Sequence, residues 1–333
     1  MSNDSDLIFF TGFEGEIPGE NATIFHNTGE GYNGLFVGGG FLGKRGVSGY
    51  RYHGRSTGWG EINLPENLAE IYVGFHTVMR EPDTRFFELH MNNNNTINFS
   101  YTTVSKLVVT GFGSEFIYDA FVTQSVFFHI DIYCNAINGN IRIKINGIEV
   151  LNVNGVNVGG TFSKTHFRRN GFSNIWIHKT KSLGQAITFF SKPTADGHYA
   201  PNAGFFQTND GSPEGWAKLQ ENDGDDNYIY SSVPDAKFTC KHELIPEGYQ
   251  PVAFCIQSIY KNVTGGGLLY VRDLLRYNSL QEDFLGEIRA VPSIYTHSAL
   301  FRTNYDKAPD GTELTRDKIN DIEIGSQIVE LEE

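Results

Sequence analysis

Residues 140–153 read NIRIKINGIEVLNV, and this stretch decides the fold. Ile141, Ile143 and Ile145 alternate with Arg142 and Lys144, the period of a strand with one face on a core. Asn146-Gly147 follows, the pair favoured at the two positive-φ positions of a type I′ hairpin turn. A two-residue turn here sets the register: Ile145 opposite Ile148, Lys144 opposite Glu149, Ile143 opposite Val150. One face is then aliphatic and the other pairs opposite charges, each cross-strand pair contributing about 0.2–1 kcal/mol. A slip of one residue would lose both matches.

The same reading extends in both directions. Residues 7–10, 71–79 (IYVGFHTVM), 85–91 and 172–178 (FSNIWIH) read as short strands, the last with Ile175 and Ile177 on one face and Trp176 on the other. The connector KTKSLGQ ends the series. We therefore divide the chain into residues 1–185 and 186–333. The second part is expected to hold strands near 186–191, 228–232, 236–239, 252–262, 287–299 and 322–329. Residues 268–277 read as strand or short helix. A helix over 315–321 would be capped by Thr315, with Asp317 in its first turn. Many short strands at turn-rich spacing predict an all-β protein of two β-sandwich, jelly-roll-like domains.

Composition limits the function. The formal charge is −13, whereas a phosphate-reading surface is basic; no nucleic-acid partner is expected. The one basic cluster, residues 164–169, reads as solvated loop charge. Three cysteines without CxxC spacing, Cys134, Cys240 and Cys255, read as buried free thiols. The opening MSNDSDLIFF lacks the pattern of a signal peptide, and no apolar run is long enough to span a membrane.

Few motifs carry chemistry. Residues 38–44 (GGGFLGK) mimic a phosphate loop, but Arg45 stands where Ser or Thr would bind magnesium, and the following GVSGYRYHG is a poor helix. No HExxH, HxH or GxSxG occurs, so neither a zinc site nor a hydrolase elbow is expected. No catalytic residue and no cofactor are assigned. The acidic loop ENDGDDN places Asp223, Asp225 and Asp226 around Gly224, carboxylates of the kind calcium takes, against the reading of a solvated turn. Tyr50, Tyr52 and Trp59 flank a glycine-rich segment and would stack on a sugar ring if they face solvent, or anchor loops if they do not.

LIFFTGFEG at the start, NLAEIYVGFHTVMRE, INGNIRIKINGIEV and FSNIWIHKT together resemble a laminin-G/concanavalin-like lectin sandwich. The second part resembles virion structural proteins of tailed bacteriophages. Residues 193–197 match P-x-A-D-G, residues 221–229 an E-x-x-x-D-G-D-x-x-Y-I loop, and residues 317–325 a terminal D-h-N-x-h-E-h-G, with h apolar. The loop departs from that pattern in reading DDNY rather than D-T-x-Y. The resemblance implies a non-enzymatic virion component of capsid decoration, neck or tail fibre, made in a host cytoplasm. Its expected partners are other virion proteins and further copies of itself, for instance in a trimer. The alternative is an adhesin that attaches a particle to host or environmental glycans.

Overall fold

The computed structural model describes residues 6–11, 59–78, 85–102, 106–111, 114–119, 127–157, 159–168, 171–186, 191–200, 205–220, 226–263, 269–291 and 299–329. Its secondary structure is nearly all β, in two compact units, Asp6–Phe190 and Ser191–Glu333. The first unit contains β1 (Leu7–Thr11), β2 (Trp59–Leu68), β3 (Glu70–Val78), β4 (Arg85–Met91), β5 (Thr96–Tyr101) and β6 (Lys106–Gly111). It continues with β7 (Ser114–Asp119), β8 (Phe127–Asn135), β9 (Asn140–Ile145), β10 (Ile148–Val153), β11 (Phe162–Arg168) and β12 (Gly171–His178).

These strands form two antiparallel six-stranded sheets, ordered β1-β12-β3-β8-β9-β10 and β2-β11-β4-β5-β6-β7. Alternate residues of both sheets enter one core. Phe75 of β3 lies at its centre, with Phe87 at 5.2 Å, Phe167 and Phe172 at 5.5 Å and Phe86 at 6.3 Å between ring centroids. Each buried ring contributes about 1.5–3 kcal/mol of transfer free energy, and edge-to-face pairs such as Phe75–Phe167 add to it.

The hairpin forms as the sequence predicts, with Asn146 and Gly147 at positive φ, Ile145 opposite Ile148 and Lys144 opposite Glu149. Beyond that pair the expected register fails: Ile143 faces Leu151, not Val150. A bulge has entered β10, the edge strand of its sheet, where such irregularities concentrate. It turns Leu151 into the core and leaves Ile148 71% exposed, so β10 shares the aliphatic face only in its second half.

On β12, Ile175 and Ile177 enter the core while Trp176 lies on the outer face. Its indole covers Gly74 of β3, and Nε1 donates to the Gly184 carbonyl at 3.3 Å. Cys134, Cys240 and Cys255 are free thiols, the first two buried.

The second unit contains β13 (Pro193–Asp196), β14 (Gln207–Thr208), β15 (Ile229–Tyr230), β16 (Lys237–His242) and β17 (Phe254–Tyr260). After them come β18 (Leu269–Tyr277), β19 (Glu282–Leu285), β20 (Arg289–Val291), β21 (Ala299–Tyr305), helix α1 (Arg316–Asp321) and β22 (Ile322–Val329). The antiparallel sheet β13-β16-β22-β18-β19, with β20 also on β18, is layered against the β17–β21 ribbon through Ile256, Leu275, Tyr277 and Ile322. Residues 269–277 are thus strand rather than helix. The strand expected over 287–299 is shorter, because its described part pairs with β18 only through Arg289–Val291. Helix α1 is capped as predicted, the Lys318 amide donating to Thr315 Oγ1 at 3.3 Å.

Residues 193–197 and the end of the 317–325 segment meet in this sheet. Glu323 Oε2 accepts the His198 amide at 2.7 Å and Thr239 Oγ1–H at 2.8 Å. A Cβ on Gly197 would fall 2.4 Å from that carboxylate, and one on Gly325 would fall 1.7 Å from the Phe238 carbonyl oxygen. The motif glycines therefore admit a buried carboxylate staple and a close strand crossing.

In the first unit, an alanine Cβ at Gly74 would sit 2.1 Å from Trp176 Cε2. β3 is held between β12 and β8 and cannot retreat. Gly74→Ala should lower stability by about 1–3 kcal/mol; urea unfolding measures this, and an unchanged midpoint would contradict the packing.

Candidate binding faces of the first unit

Because residues alternate between core and outside along most of these strands, the outward ones pattern two outer faces. On the first sheet, strand pairing places Tyr72 beside Tyr133 and Tyr133 beside Arg142, while Gly74, Asp131 and Lys144 form the next row. The Tyr72 and Tyr133 rings lie 4.7 Å apart at 41°, and the Arg142 guanidinium sits 4.7 Å above the Tyr133 ring. Tyr133 Oη donates to Glu70 Oε2 at 3.1 Å, and Asn135 Nδ2 donates to the same oxygen at 2.8 Å. Ser182 Oγ donates to Asp131 Oδ2. Tyr72, Asp131, Tyr133, Arg142, Lys144 and Ser182 line one shallow depression.

Electrostatics tune these groups. Burial pushes the Asp131 carboxyl above its ordinary value against the pull of Ser182, Lys144 and Arg142. Burial, then the neighbouring Glu70 carboxylate, pushes the Tyr72 phenol up to about 12, so it stays a neutral donor.

On the second sheet, pairing aligns Glu61, His166, Glu88, Asn98 and Thr110 across β2, β11, β4, β5 and β6. The adjacent row holds Asn63, Lys164, His90 and Thr96. His166 Nε2 contacts Glu61 Oε2, which Lys164 Nζ approaches at 2.9 Å. Glu88 Oε2 receives His90 Nε2 at 3.0 Å and His166 Nδ1 at 3.5 Å. Its other oxygen faces Arg85 Nη1 at 3.0 Å and Arg168 Nε at 3.5 Å.

Burial alone would raise the Glu88 carboxyl. The hydrogen bonds of His166 and His90 and the charges of Arg168 and Arg85 outweigh it and hold the pKa at about 2. Glu61 is lowered in the same way, burial being overcome by Lys164 and His166. Among the described residues, Glu88, His90 and His166 are the group able to hold a metal, each offering one ligand atom and all within 4.8 Å of one another.

Tyr50, Tyr52, Asp223, Asp225 and residues 38–44 lie outside the described residues. Trp59 opens β2 opposite Arg168. Asp226 is exposed, and its carbonyl accepts Asn209 Nδ2 at 2.8 Å. Within the basic cluster, Lys164, His166 and Arg168 are not loop charge: β11 carries all three on the face that meets Glu61 and Glu88.

No protein-family model and no curated protein matches the sequence. Among solved structures, weak similarity is found to lectin-like and glycan-binding β-sandwich domains. Domain 4 of an extracellular arabinanase from Geobacillus stearothermophilus, solved with arabinotriose, is 14% identical, with a TM-score of 0.35 over 52% of this chain and 92% of its own. A tetrameric galectin from Cinachyrella sp. is 13% identical, with a TM-score of 0.28 over 36% of this chain and 99% of its own. A sialidase is 12% identical, with a TM-score of 0.31 over 48% of this chain; the match spans 19% of the sialidase's length.

A histidine pair with one buried member, His129, sets a pH limit on the first sheet. His76 and His129 are cross-strand partners with rings 4.9 Å apart. Burial, reinforced by His76, pulls His129 down from 6.5 to about 3. A histidine depressed in the folded state adds stability above its unfolded pKa and loses it as pH falls toward the folded value. At about pH 5 the loss from His129 is about 2 kcal/mol relative to neutral pH. His129→Phe should flatten the acid limb of stability measured by urea unfolding against pH; an unchanged slope would contradict this.

Proposed function

We propose that the first unit is a glycan-binding module whose sugar lies on the outer face of the β1-β12-β3-β8-β9-β10 sheet. The observation that carries this reading is the depression in which two tyrosine rings adjoin Arg142, Lys144, Asp131 and Ser182. A pyranose presents an apolar C–H face beside equatorial hydroxyls. Aromatic rings pack on the first, and charged or planar polar groups hydrogen-bond the second. The site is pre-organised: Arg142 is stacked on Tyr133, and Ser182 orients Asp131.

The reading is of a binder rather than a glycosidase. Hydrolysis of a glycosidic bond takes two carboxyl groups on opposite sides of the bond, and Asp131 is the one carboxylate among the described residues that line the depression. A saturable, sugar-competable signal on a glycan array tests the proposal. Tyr133→Ala and Arg142→Ala should each weaken it by about tenfold or more, the scale of losing about 1.4 kcal/mol. Absence of any glycan ligand, or full binding by both variants, would overturn it.

A second reading, a virion structural component acting by assembly, rests on the sequence resemblance of the second unit. There the resembling segments at 193–197 and 317–325 share the Glu323 staple, a structural use of their polar residues. In this reading the second unit builds the protein into the capsid, neck or tail, in a homo-oligomer such as a trimer, and the first unit faces outward. Imaging of purified particles carrying a tagged copy tests it: discrete density on the particle supports assembly, and absence of the protein from particles overturns it.

A further inference from the structure

The charged row on the other sheet has a geometry that ion pairing alone does not require. We propose that Glu88, His90 and His166 form a binding site for a first-row divalent cation such as zinc, on the outer face of β4 and β11.

Glu88 and His90 are alternate residues of one strand, so both point outward, and His166 is the cross-strand partner of Glu88. Glu88 Oε2 lies 3.0 Å from His90 Nε2 and 3.5 Å from His166 Nδ1. Tetrahedral zinc ligands about 2.0–2.1 Å from the ion stand about 3.3 Å from one another. Both distances from Glu88 are close to that spacing, and the ligand atoms of the three residues all lie within 4.8 Å of one another. Two imidazoles and one carboxylate are a borderline set suited to zinc and its neighbours rather than to calcium or magnesium.

The surroundings of His166 point the same way. Its Nε2 is engaged by Glu61, which Lys164 anchors at 2.9 Å. On binding an ion His166 would give up its Nδ1 proton and keep the Nε2 proton on that carboxylate, the arrangement that second-sphere carboxylates impose on metal-bound histidines. Arg85 and Arg168 address Oε1 of Glu88 and leave Oε2 to the ion. Three protein ligands leave a fourth position of a tetrahedral ion for water or another ligand. His90, with 20% of its side chain exposed, gives the ion access from solvent.

The test uses the full chain made without a polyhistidine tag and stripped with chelator. Zinc titrated by calorimetry should bind at one ion per chain and raise the melting temperature, and cobalt(II) in its place should show the visible absorption of a tetrahedral site. His90→Gln should weaken binding by at least about a hundredfold, and Glu61→Gln by about 10–100-fold although it removes no ligand. His90→Cys should restore uptake and add a thiolate–cobalt charge-transfer band, which separates ligand loss from misfolding. No zinc uptake by the native chain, or uptake undiminished in His90→Gln, would overturn the site. Glycan binding on the opposite sheet stands or falls separately, because none of these residues lines that depression.

Discussion

The contact between two six-stranded sheets across the phenylalanine cluster at Phe75 is the constraint on which the first unit depends. Phe75 and Phe172 come from one sheet and Phe86, Phe87 and Phe167 from the other. Neither sheet can shift without opening voids between close-packed rings. The core takes about one residue in two along most of these strands, and what remains is presented outward at fixed cross-strand spacing. Side chains distant in sequence thereby become neighbours: Tyr72 meets Tyr133, and Glu61 meets His166.

The two faces spend that placement differently. On one, half-buried aromatic rings and hydrogen-bonded polar groups line an open depression. On the other, Glu61 and Glu88 are 5% and 2% exposed, a depth at which an unpaired carboxylate would be strongly destabilising. Their partners are therefore part of the fold's stability as well as of any chemistry.

Local rules made the fold legible. Asn146-Gly147, the alternation of Ile141 to Ile145, the placement of Trp176 opposite Ile175 and Ile177, and the Thr315 cap depend on neighbours a few residues away, and all four read correctly from the chain. The bulge in β10 did not, because it answers to the burial of Leu151 rather than to turn chemistry. The sites were hidden by distance. A zinc motif sought at HExxH or HxH spacing misses Glu-x-His at 88–90 completed by His166 from another strand. Lys-x-His-x-Arg at 164–168 has the strand period, a signal that its charge density concealed when it was read as a loop.

The central claim is that the face bearing Tyr72 and Tyr133 is the ligand surface of the first unit. Its most direct measurement is NMR of ring-labelled tyrosine during titration with a sugar selected on a glycan array, each resonance assigned by substitution among the 16 tyrosines. The account predicts saturable shifts of the Tyr72 and Tyr133 ring signals with a single common dissociation constant. Shifts confined to other tyrosines while those two stay fixed would contradict it.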